Sequence, residues 1–249
     1  MAMGAEAAPL IKFLNLSPLA APTGKFALPY ESFSGLMGST NVTLLTSGKH
    51  GKHGVDNVGT LHAGMMTMYA LRELQPQASP FDLVLNAGTC GGFMSKGCEI
   101  GSVCIPEHAA FHDRRIVIPG TPFEVYGDGK VCNASDELAN KIRSKFDYLG
   151  GGVTTGDSLD HTTEDMARMT CNGATVKDME AAAISNVCEI AGVNHVHLKV
   201  VTDLIDGGRP SHEEFMENLG KAAESLQVNV GKVLDFLKSE KKGGTGSRD

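Results

Sequence analysis

The sequence predicts an α/β fold, built as one domain around a mixed β-sheet. Segments rich in apolar and β-branched residues alternate with helical patterns along the chain, as in sheets that carry helices on their faces. The 249 residues are enough to bury a full core. No internal repeat and no linker-like stretch divides the chain, so we expect a single domain over 1–238.

The first half is expected to hold two helices and three strands: helix 5–15, strands 26–32 and 41–46, helix 56–74 and strand 81–92. Pro9 is expected in the first turn of its helix, where a missing N–H costs little. Gly35 and Gly38 favour turns between the first strands. Only Met1-Ala2-Met3 and Gly4 precede the helix predicted over 5–15, so the strand that commonly opens a doubly wound domain is either a stub or truncated.

The second half is expected to continue the alternation: strands 101–106 and 108–111, helix 134–149, strand 153–159, helix 180–191, strand 195–202 and a long last helix. Gly192 is a helix-stopping residue. Ser211 and Glu214 match a capping box that opens the last helix. The segment 239–249 is rich in Lys, Gly and Ser and is expected to be a disordered tail.

Composition argues against several classes of partner. The net charge is −7 and the basic residues are not clustered, apart from Lys241 and Lys242, which makes nucleic acid an unlikely ligand. No apolar run approaches the ~20 residues that span a membrane, so no membrane partner is expected. The N-terminus lacks a basic segment typical of signal peptides, and we expect a cytoplasmic protein.

The cysteines and histidines favour neither disulfides nor metal. The six cysteines form no CxxC pair, so free thiols in a reducing compartment are expected. His195 and His197 alternate on one strand and should share a face. Without a third ligand nearby, we interpret them as ordinary strand residues and expect no metal or organic cofactor.

Acidic residues at element boundaries are the first candidates for a site. Glu180 begins a helix, Asp203 ends a strand, and the glycine turn 88–92 ends another strand. Ligands of open α/β sheets bind at such helix starts and strand ends, so Glu180 and Asp203 are expected to face one pocket. The glycine-rich basic loop 47–54 could bind an anion through its backbone N–H groups, or it could be a mobile surface loop.

Five motifs, taken together and in order, resemble the 5′-methylthioadenosine/S-adenosylhomocysteine nucleosidase family: Ala2-Met3 with Glu6, Asn86-Ala87-Gly88-Thr89-Cys90-Gly91-Gly92, Thr155-Gly156-Asp157-Ser158, Asp178-Met179-Glu180 and Val201-Thr202-Asp203. The segments His112-Asp113-Arg114-Arg115 with Ile118-Pro119, and Asp203-Leu204-Ile205-Asp206-Gly207, are most similar to its plant-type branch. The resemblance implies a single-domain three-layer sandwich of nucleoside phosphorylase type that acts as a homodimer on a small-molecule nucleoside. The implied reaction is hydrolysis of 5′-methylthioadenosine to adenine and 5-methylthioribose, and cleavage of S-adenosylhomocysteine is left open.

The resemblance also implies roles for individual residues. Asp203 matches the general acid that protonates adenine at N7, and it would need a raised pKa to do so. Glu6 matches the base that activates water. Glu180 would accept the ribose hydroxyls, and Met179 would pack on the sugar. The remaining substrate-binding positions implied are Thr89, Cys90, Gly91, Leu159, Asp160, Lys177, Asp178 and Lys199.

Two alternatives stay open. A purine nucleoside phosphorylase of the same fold would need a phosphate pocket, normally built with Arg, where this chain has Asn86. A carboxylate at Glu6 would repel phosphate, which favours hydrolysis. A non-catalytic storage or ligand-binding relative is the second alternative, since fold does not settle function.

Overall fold

A mixed seven-stranded sheet is the centre of the computed structural model, which describes residues 1–20, 28–74, 80–116, 118–127, 129–132 and 136–243. The strands in chain order are β1 Ser17–Pro18, β2 Glu31–Met37, β3 Thr40–Thr46, β4 Val84–Gly92, β5 Val103–Cys104, β6 His108–Phe111, β7 Val131–Cys132, β8 Gly152–Thr155, β9 Ala174–Asp178 and β10 His195–Leu204. The helices are α1 Gly4–Phe13, α2 Thr60–Tyr69, α3 Phe123–Tyr126, α4 Asp136–Phe146, α5 Thr163–Cys171, α6 Ala181–Ala191 and α7 Ser211–Gly243.

The large sheet has the order β5-β10-β4-β9-β8-β6-β7, and β1, β2 and β3 form a separate antiparallel sheet. The pairs β10–β4, β6–β8 and β8–β9 are parallel, whereas β4–β9, β10–β5 and β6–β7 are antiparallel. The predicted mixed sheet is therefore confirmed. β10 lies between β5 and β4, and all its residues except Leu204 are buried, as expected for a strand that is covered on both faces.

Helices cover both faces of the sheet, which confirms the three-layer sandwich. On one face α1 and α7 share a core in which Ala7 and Leu10 belong to the same buried cluster as Leu226 and Val230. On the other face α2 and α6 pack together through Ala63, Ile184 and Cys188. Each helix thus buries one apolar stripe against the sheet or against a neighbouring helix.

Several predicted boundaries shift by a few residues. The helix predicted over 56–74 is α2 followed by a π-helical turn at Ala70–Leu74, and the strand predicted over 101–106 shrinks to β5. The strand predicted over 153–159 ends with β8, and helix 134–149 ends with α4. The strand predicted over 26–32 begins at Glu31, and its positions 26–27 lie outside the described residues.

Three local predictions are wrong for identifiable reasons. Pro9 lies in the interior of α1, where burial of Ala7 and Leu10 outweighs one missing backbone hydrogen bond. Gly35 is not a turn residue: it lies in β2 opposite Val42, and a Cβ there would come within 2.9 Å of a Leu16 methyl carbon.

The predicted capping box at the start of α7 is also wrong. Ser211 is the first helical residue rather than the N-cap. The Glu214 carboxylate accepts the backbone N–H of Leu204 at 2.8 Å, so it binds the end of β10 instead of the helix start. The same helix continues to Gly243, into the segment that was predicted to be disordered, and 244–249 lie outside the described residues.

An apolar cavity of about 930 Å³ separates β3 from the first half of β4. Leu10 of α1, Leu14 just after that helix and Leu234 of α7 line it. Glu6, Glu180 and Asp203 do not line it. Among the helices that the structure describes, none is long and apolar enough to cross a membrane.

We expect Leu226→Ala to lower the free energy of unfolding by about 2–5 kcal/mol, because its completely buried side chain fills the core under α7 and a cavity would remain. Val228, on the same helix, is 49% exposed, and Val228→Ala should change stability by no more than about 0.5 kcal/mol. Urea denaturation followed by circular dichroism measures both. Equal losses for the two variants would contradict the orientation of α7.

Candidate active site

The carboxyl half of β4 lies between β10 and β9, and it brings the candidate residues to one level of the sheet. Asp203 is the register partner of Gly91, and Gly91 in turn pairs with Lys177 of β9. A Cβ at Gly91 would lie 3.0 Å from Oδ2 of Asp203. The glycine therefore lets the acid approach the backbone of the central strand closely. A register shift between Val201 and Asp203 marks the place where β10 bends, as strands often do beside functional sites.

Glu6 reaches the same strand from α1. Its Oε1 accepts the backbone N–H of Thr89 at 2.6 Å and the Thr89 hydroxyl at 2.8 Å, while Oε2 accepts the N–H of Met3 at 3.1 Å. The side chain is 2% exposed. The short segment before α1 is also anchored, since the amino group of Met1 donates to the Leu45 carbonyl at 3.1 Å. Glu6 is thus held in place although no strand precedes α1 within the described residues.

Glu180 occupies the N-cap of α6 and faces the start of α2. Its Oε1 accepts the backbone N–H of Gly59 at 2.9 Å. Burial, followed by the nearby Asp178 carboxylate, raises the pKa of Glu180 to about 7, although Lys199 and the Gly59 hydrogen bond act in the opposite direction. Near neutral pH this group therefore exists in both protonation states.

Lys199 and Asp178 form a buried ion pair beneath the carboxylates, with Nζ and Oδ2 2.7 Å apart. Asp178 also accepts the Thr155 hydroxyl at 2.6 Å and the backbone N–H of Ala181 at 2.9 Å. Burial alone would raise the pKa of Asp178, but Lys199 and the Thr155 hydrogen bond lower it below its usual range. Asp178 is therefore charged near neutral pH whereas Glu180 is only partly ionised, because only Asp178 has a cation bonded to it.

Asp203 is 4% exposed and accepts the hydroxyl hydrogen bond of Thr202 at 2.9 Å. Burial raises its pKa, against the opposing effects of hydrogen bonds from Thr202 and Ser211 and of the Lys177 charge. A carboxyl group in this situation holds its proton to higher pH than a solvated one, and it can then donate that proton.

The other predicted positions divide into buried and accessible ones. Cys90 and Lys177 are buried, and burial raises the pKa of the Cys90 thiol well above its usual value. Met179 is partly exposed beside Glu180, and Leu159 and Asp160 are exposed at the rim. Leu159 is connected to the site through its carbonyl oxygen, which accepts a hydrogen bond from Lys177 Nζ at 3.0 Å.

Sequence reasoning missed the contribution of the α2 start. Asp157 accepts the backbone N–H of Thr60 at 2.6 Å and its hydroxyl at 2.5 Å, and the N–H of Asp157 donates to Asp113 at 2.8 Å. Gly59 has φ 101°, and a Cβ there would come within 2.6 Å of Asp157. In the sequence, Gly59 precedes a predicted helical pattern and Asp157 follows a strand pattern. Only the fold shows that these two residues meet.

His195 and His197 do lie together, with ring centroids 5.5 Å apart, and His197 bonds to Asn86 at 3.0 Å and Ser185 at 2.8 Å. Burial lowers the pKa of His197 to about 3, so it is a neutral core residue. No group of three or more His, Cys, Asp or Glu side chains arranged to hold a metal occurs in the described part of the chain.

Four backbone N–H groups of the basic loop 47–54, which could bind an anion according to the sequence, already have partners within the protein. The N–H groups of Lys52 and His53 donate to Nδ1 of His50 at 3.3 Å each. The N–H of Gly54 donates to the His50 carbonyl, and that of His50 donates to the carbonyl of Val55. These donors are therefore used within the loop itself.

This fold, with buried carboxylates at the carboxyl ends of its central strands, defines a nucleoside phosphorylase-type protein. The family model described as the phosphorylase superfamily matches residues 1–235. The chain is 38% identical to the 5′-methylthioadenosine nucleosidase of Arabidopsis thaliana, over 95% of this chain and 85% of that one. It is 37% identical to the 5′-methylthioadenosine/S-adenosylhomocysteine nucleosidase of the same plant, over 95% and 89%.

A solved structure of the Arabidopsis thaliana 5′-methylthioadenosine nucleosidase, without ligand, superimposes with a TM-score of 0.87 at 36% identity and covers 100% of this chain and 94% of its own. The chain belongs to the 5′-methylthioadenosine/S-adenosylhomocysteine nucleosidase family.

The raised pKa of Glu180 predicts a pH-dependent stability. Between the ordinary value of 4.5 and about 7, the folded protein binds this proton more tightly than the unfolded chain does. The contribution of Glu180 to the free energy of unfolding is therefore full below pH 4.5 and falls as the pH rises to about 7. Glu180→Gln removes this decline, and the variant should gain about 1–3 kcal/mol relative to wild type across that range.

Urea denaturation at pH 4.5, 5.5, 6.5 and 7.5 measures the effect. Glu137→Gln is the control, because the Glu137 side chain is 85% exposed and its replacement should give a difference that does not vary with pH. A constant difference for Glu180→Gln as well would contradict the raised pKa.

Proposed function

We propose that this protein hydrolyses the N-glycosidic bond of 5′-methylthioadenosine and releases adenine and 5-methylthioribose. The observation that carries the proposal is that two buried carboxyl groups reach the same segment of β4. Glu6 of α1 bonds to Thr89, and Asp203 of β10 is the register partner of Gly91. Cleavage of a nucleoside needs an acid for the leaving base and a base for water, and this pair supplies both. The curated names of the similar plant proteins support the same substrate.

In the proposed reaction Asp203 is the general acid. Its raised pKa keeps a proton available, and transfer of that proton to N7 of adenine makes the base a better leaving group as the bond between C1′ and N9 breaks. Glu6 is the general base. Thr89 and Met3 hold its carboxylate, which takes a proton from the attacking water as the new bond to C1′ forms.

Glu180 is the proposed partner of the ribose. Its second oxygen is free of the Gly59 bond and can accept ribose hydroxyl groups, and its negative charge would stabilise the positive charge that develops on the sugar ring. Met179 and Thr89 are accessible enough to contact substrate directly. Lys199 and Asp178 are too deeply buried for this, and we propose that they act by holding Glu180 and α6 in place.

Phosphorolysis is the competing reaction, and the surroundings of Asn86 disfavour it. The Asn86 side chain is 5% exposed and its amide bonds with the buried His197. It is therefore turned into the core and offers no positive charge to a phosphate dianion. The carboxylate of Glu6 beside Thr89 would also repel phosphate.

Asp203→Asn should reduce kcat for adenine release from 5′-methylthioadenosine by about 10²–10⁴-fold, because the amide cannot donate the proton that the leaving base requires. Chromatographic detection of adenine measures the rate, and Asp235→Asn, at a position 66% exposed, should retain wild-type activity. A rate that depends on added phosphate would favour a phosphorylase. No release by the wild type, for this substrate or for S-adenosylhomocysteine assayed beside it, would favour a storage or ligand-binding protein.

We further propose that the protein is a homodimer assembled through α2. Leu61, Met65 and Met68 lie on one side of this helix and are 67%, 42% and 39% exposed. Large apolar side chains in one stripe indicate a surface that another molecule covers. Because Gly59 at the start of the same helix binds Glu180, a partner on α2 would also support the site. Exposed Phe123 and Tyr126 could extend the contact toward the partner's pocket.

The proposed setting is methionine salvage in the cytoplasm. The five cysteines whose side chains are described are all free, and four of them are buried. Unpaired thiols persist in a reducing compartment, which agrees with a cytoplasmic location.

Leu61→Glu combined with Met65→Lys should convert the dimer to monomers and lower kcat, since charges on a buried stripe are costly and α2 would lose its support. Light scattering coupled to size exclusion gives the mass, and the adenine assay gives the rate. Met216→Glu is the control, because Met216 is 71% exposed on α7 and should leave the mass unchanged. A fully active wild-type monomer would contradict the proposal.

A further inference from the structure

Lys177 is a buried cation at the end of β9 whose side chain holds a loop rather than a carboxylate. The residue is 5% exposed. Its Nζ donates to the carbonyl oxygens of Ser158 and Leu159, at 2.5 and 3.0 Å. Two successive carbonyls on one ammonium group form a strong, charge-assisted attachment. The loop after β8 is therefore tied to the strand next to β4.

The loop has a second attachment further back. Asp157 bonds to Thr60 at the start of α2 and to Asp113, so its first half is held by other elements. From Asp157 to Asp160 the side chains are exposed. After Asp157, the Lys177 ammonium group connects the backbone at Ser158 and Leu159 to the sheet.

Lys177 also lies across β4 from the buried acid, because Lys177 of β9 and Asp203 of β10 are both register partners of Gly91. Burial lowers the pKa of Lys177, and Asp203 is the largest of the opposing influences, followed by Asp178, Asp160 and Asp165. The charged groups that face Asp203 are Lys177 on β9 and Glu214 on α7. They act in opposite directions, and Lys177 favours the ionised form of Asp203.

We propose that Lys177 is a positioning residue for the base-binding side of the pocket, which fixes the loop 157–160 through two backbone carbonyls and places a positive charge beside Asp203. The proposal deepens the proposed nucleosidase function and depends on it for its kinetic part. In this role the cation stabilises the Asp203 carboxylate that remains after the proton has left, and it keeps the rim carrying Leu159 and Asp160 in one position.

Lys177→Met tests both parts, because methionine keeps the length and apolar character of the stem without charge or donors. We expect amide hydrogen exchange in the loop 157–160 to become at least ten-fold faster, and KM for 5′-methylthioadenosine to rise by roughly ten-fold through misplacement of the rim. The pKa of Asp203 rises when the cation is removed, so Asp203 stays protonated longer and the alkaline limb of the kcat profile should shift to higher pH. Lys177→Arg keeps the charge and should return the limb to its wild-type position.

Lys232→Met is the matched control, a change of a lysine on α7 that should leave loop exchange, KM and the pH profile unchanged. A Lys177→Met protein that is less stable but has unchanged loop exchange and an unchanged alkaline limb would overturn the proposal, since the residue would then be structural only. If the wild type released no adenine at all, the proposed function would fail. The exchange comparison would still decide whether Lys177 holds the loop.

Discussion

The ion pair between Lys199 and Asp178 crosses β4 within the sheet, and the site is arranged around it. Lys199 belongs to β10 and Asp178 to β9, with β4 between them. A Cβ on Gly88 of β4 would lie 3.5 Å from Nζ of Lys199 and 3.4 Å from Oε1 of Glu6. The glycine-rich end of β4 is thus the place where the cation and the carboxylate approach the backbone together. Removing either member of such a pair would leave an uncompensated charge in the core.

Burial and the position of the Lys199 cation give the carboxyl groups of Asp178, Glu180 and Asp203 different pKa values. Asp178 has a bonded cation and a lowered pKa, whereas the half-buried Glu180 and the buried Asp203 have no bonded cation and have raised values. Acid and base roles in a closed pocket depend on such differences between similar groups. The two buried lysines of the site, Lys199 and Lys177, serve different purposes. Lys199 forms an ion pair with the Asp178 carboxylate. Lys177 bonds to backbone carbonyls and lies across β4 from Asp203.

Two remote parts of the chain complete the arrangement. The first helix supplies Glu6, and the start of α2 supplies the N–H that binds Glu180. The exposed apolar stripe of α2 lies on the helix whose first residues touch the site. The α2 helix therefore combines an exposed apolar stripe with a direct hydrogen bond to Glu180.

The sequence by itself determined the alternation of strands and helices, the mixed character of the sheet and the motif set that identifies Glu6, Glu180 and Asp203 as candidates. These features depend on local patterns, such as the apolar run Leu83-Val84-Leu85 at the start of β4 and the glycine that ends α6. Only the tertiary structure decided what each polar group bonds to. Glu214 matched a helix cap but binds Leu204 instead, and Gly35 matched a turn but lies in a strand against Leu16. The partners of Lys177 and Lys199 also follow from the order of strands in the sheet, which makes residues distant in sequence into neighbours. Because a buried charge without a hydrogen-bonding partner is costly, these neighbours determine how each lysine is satisfied.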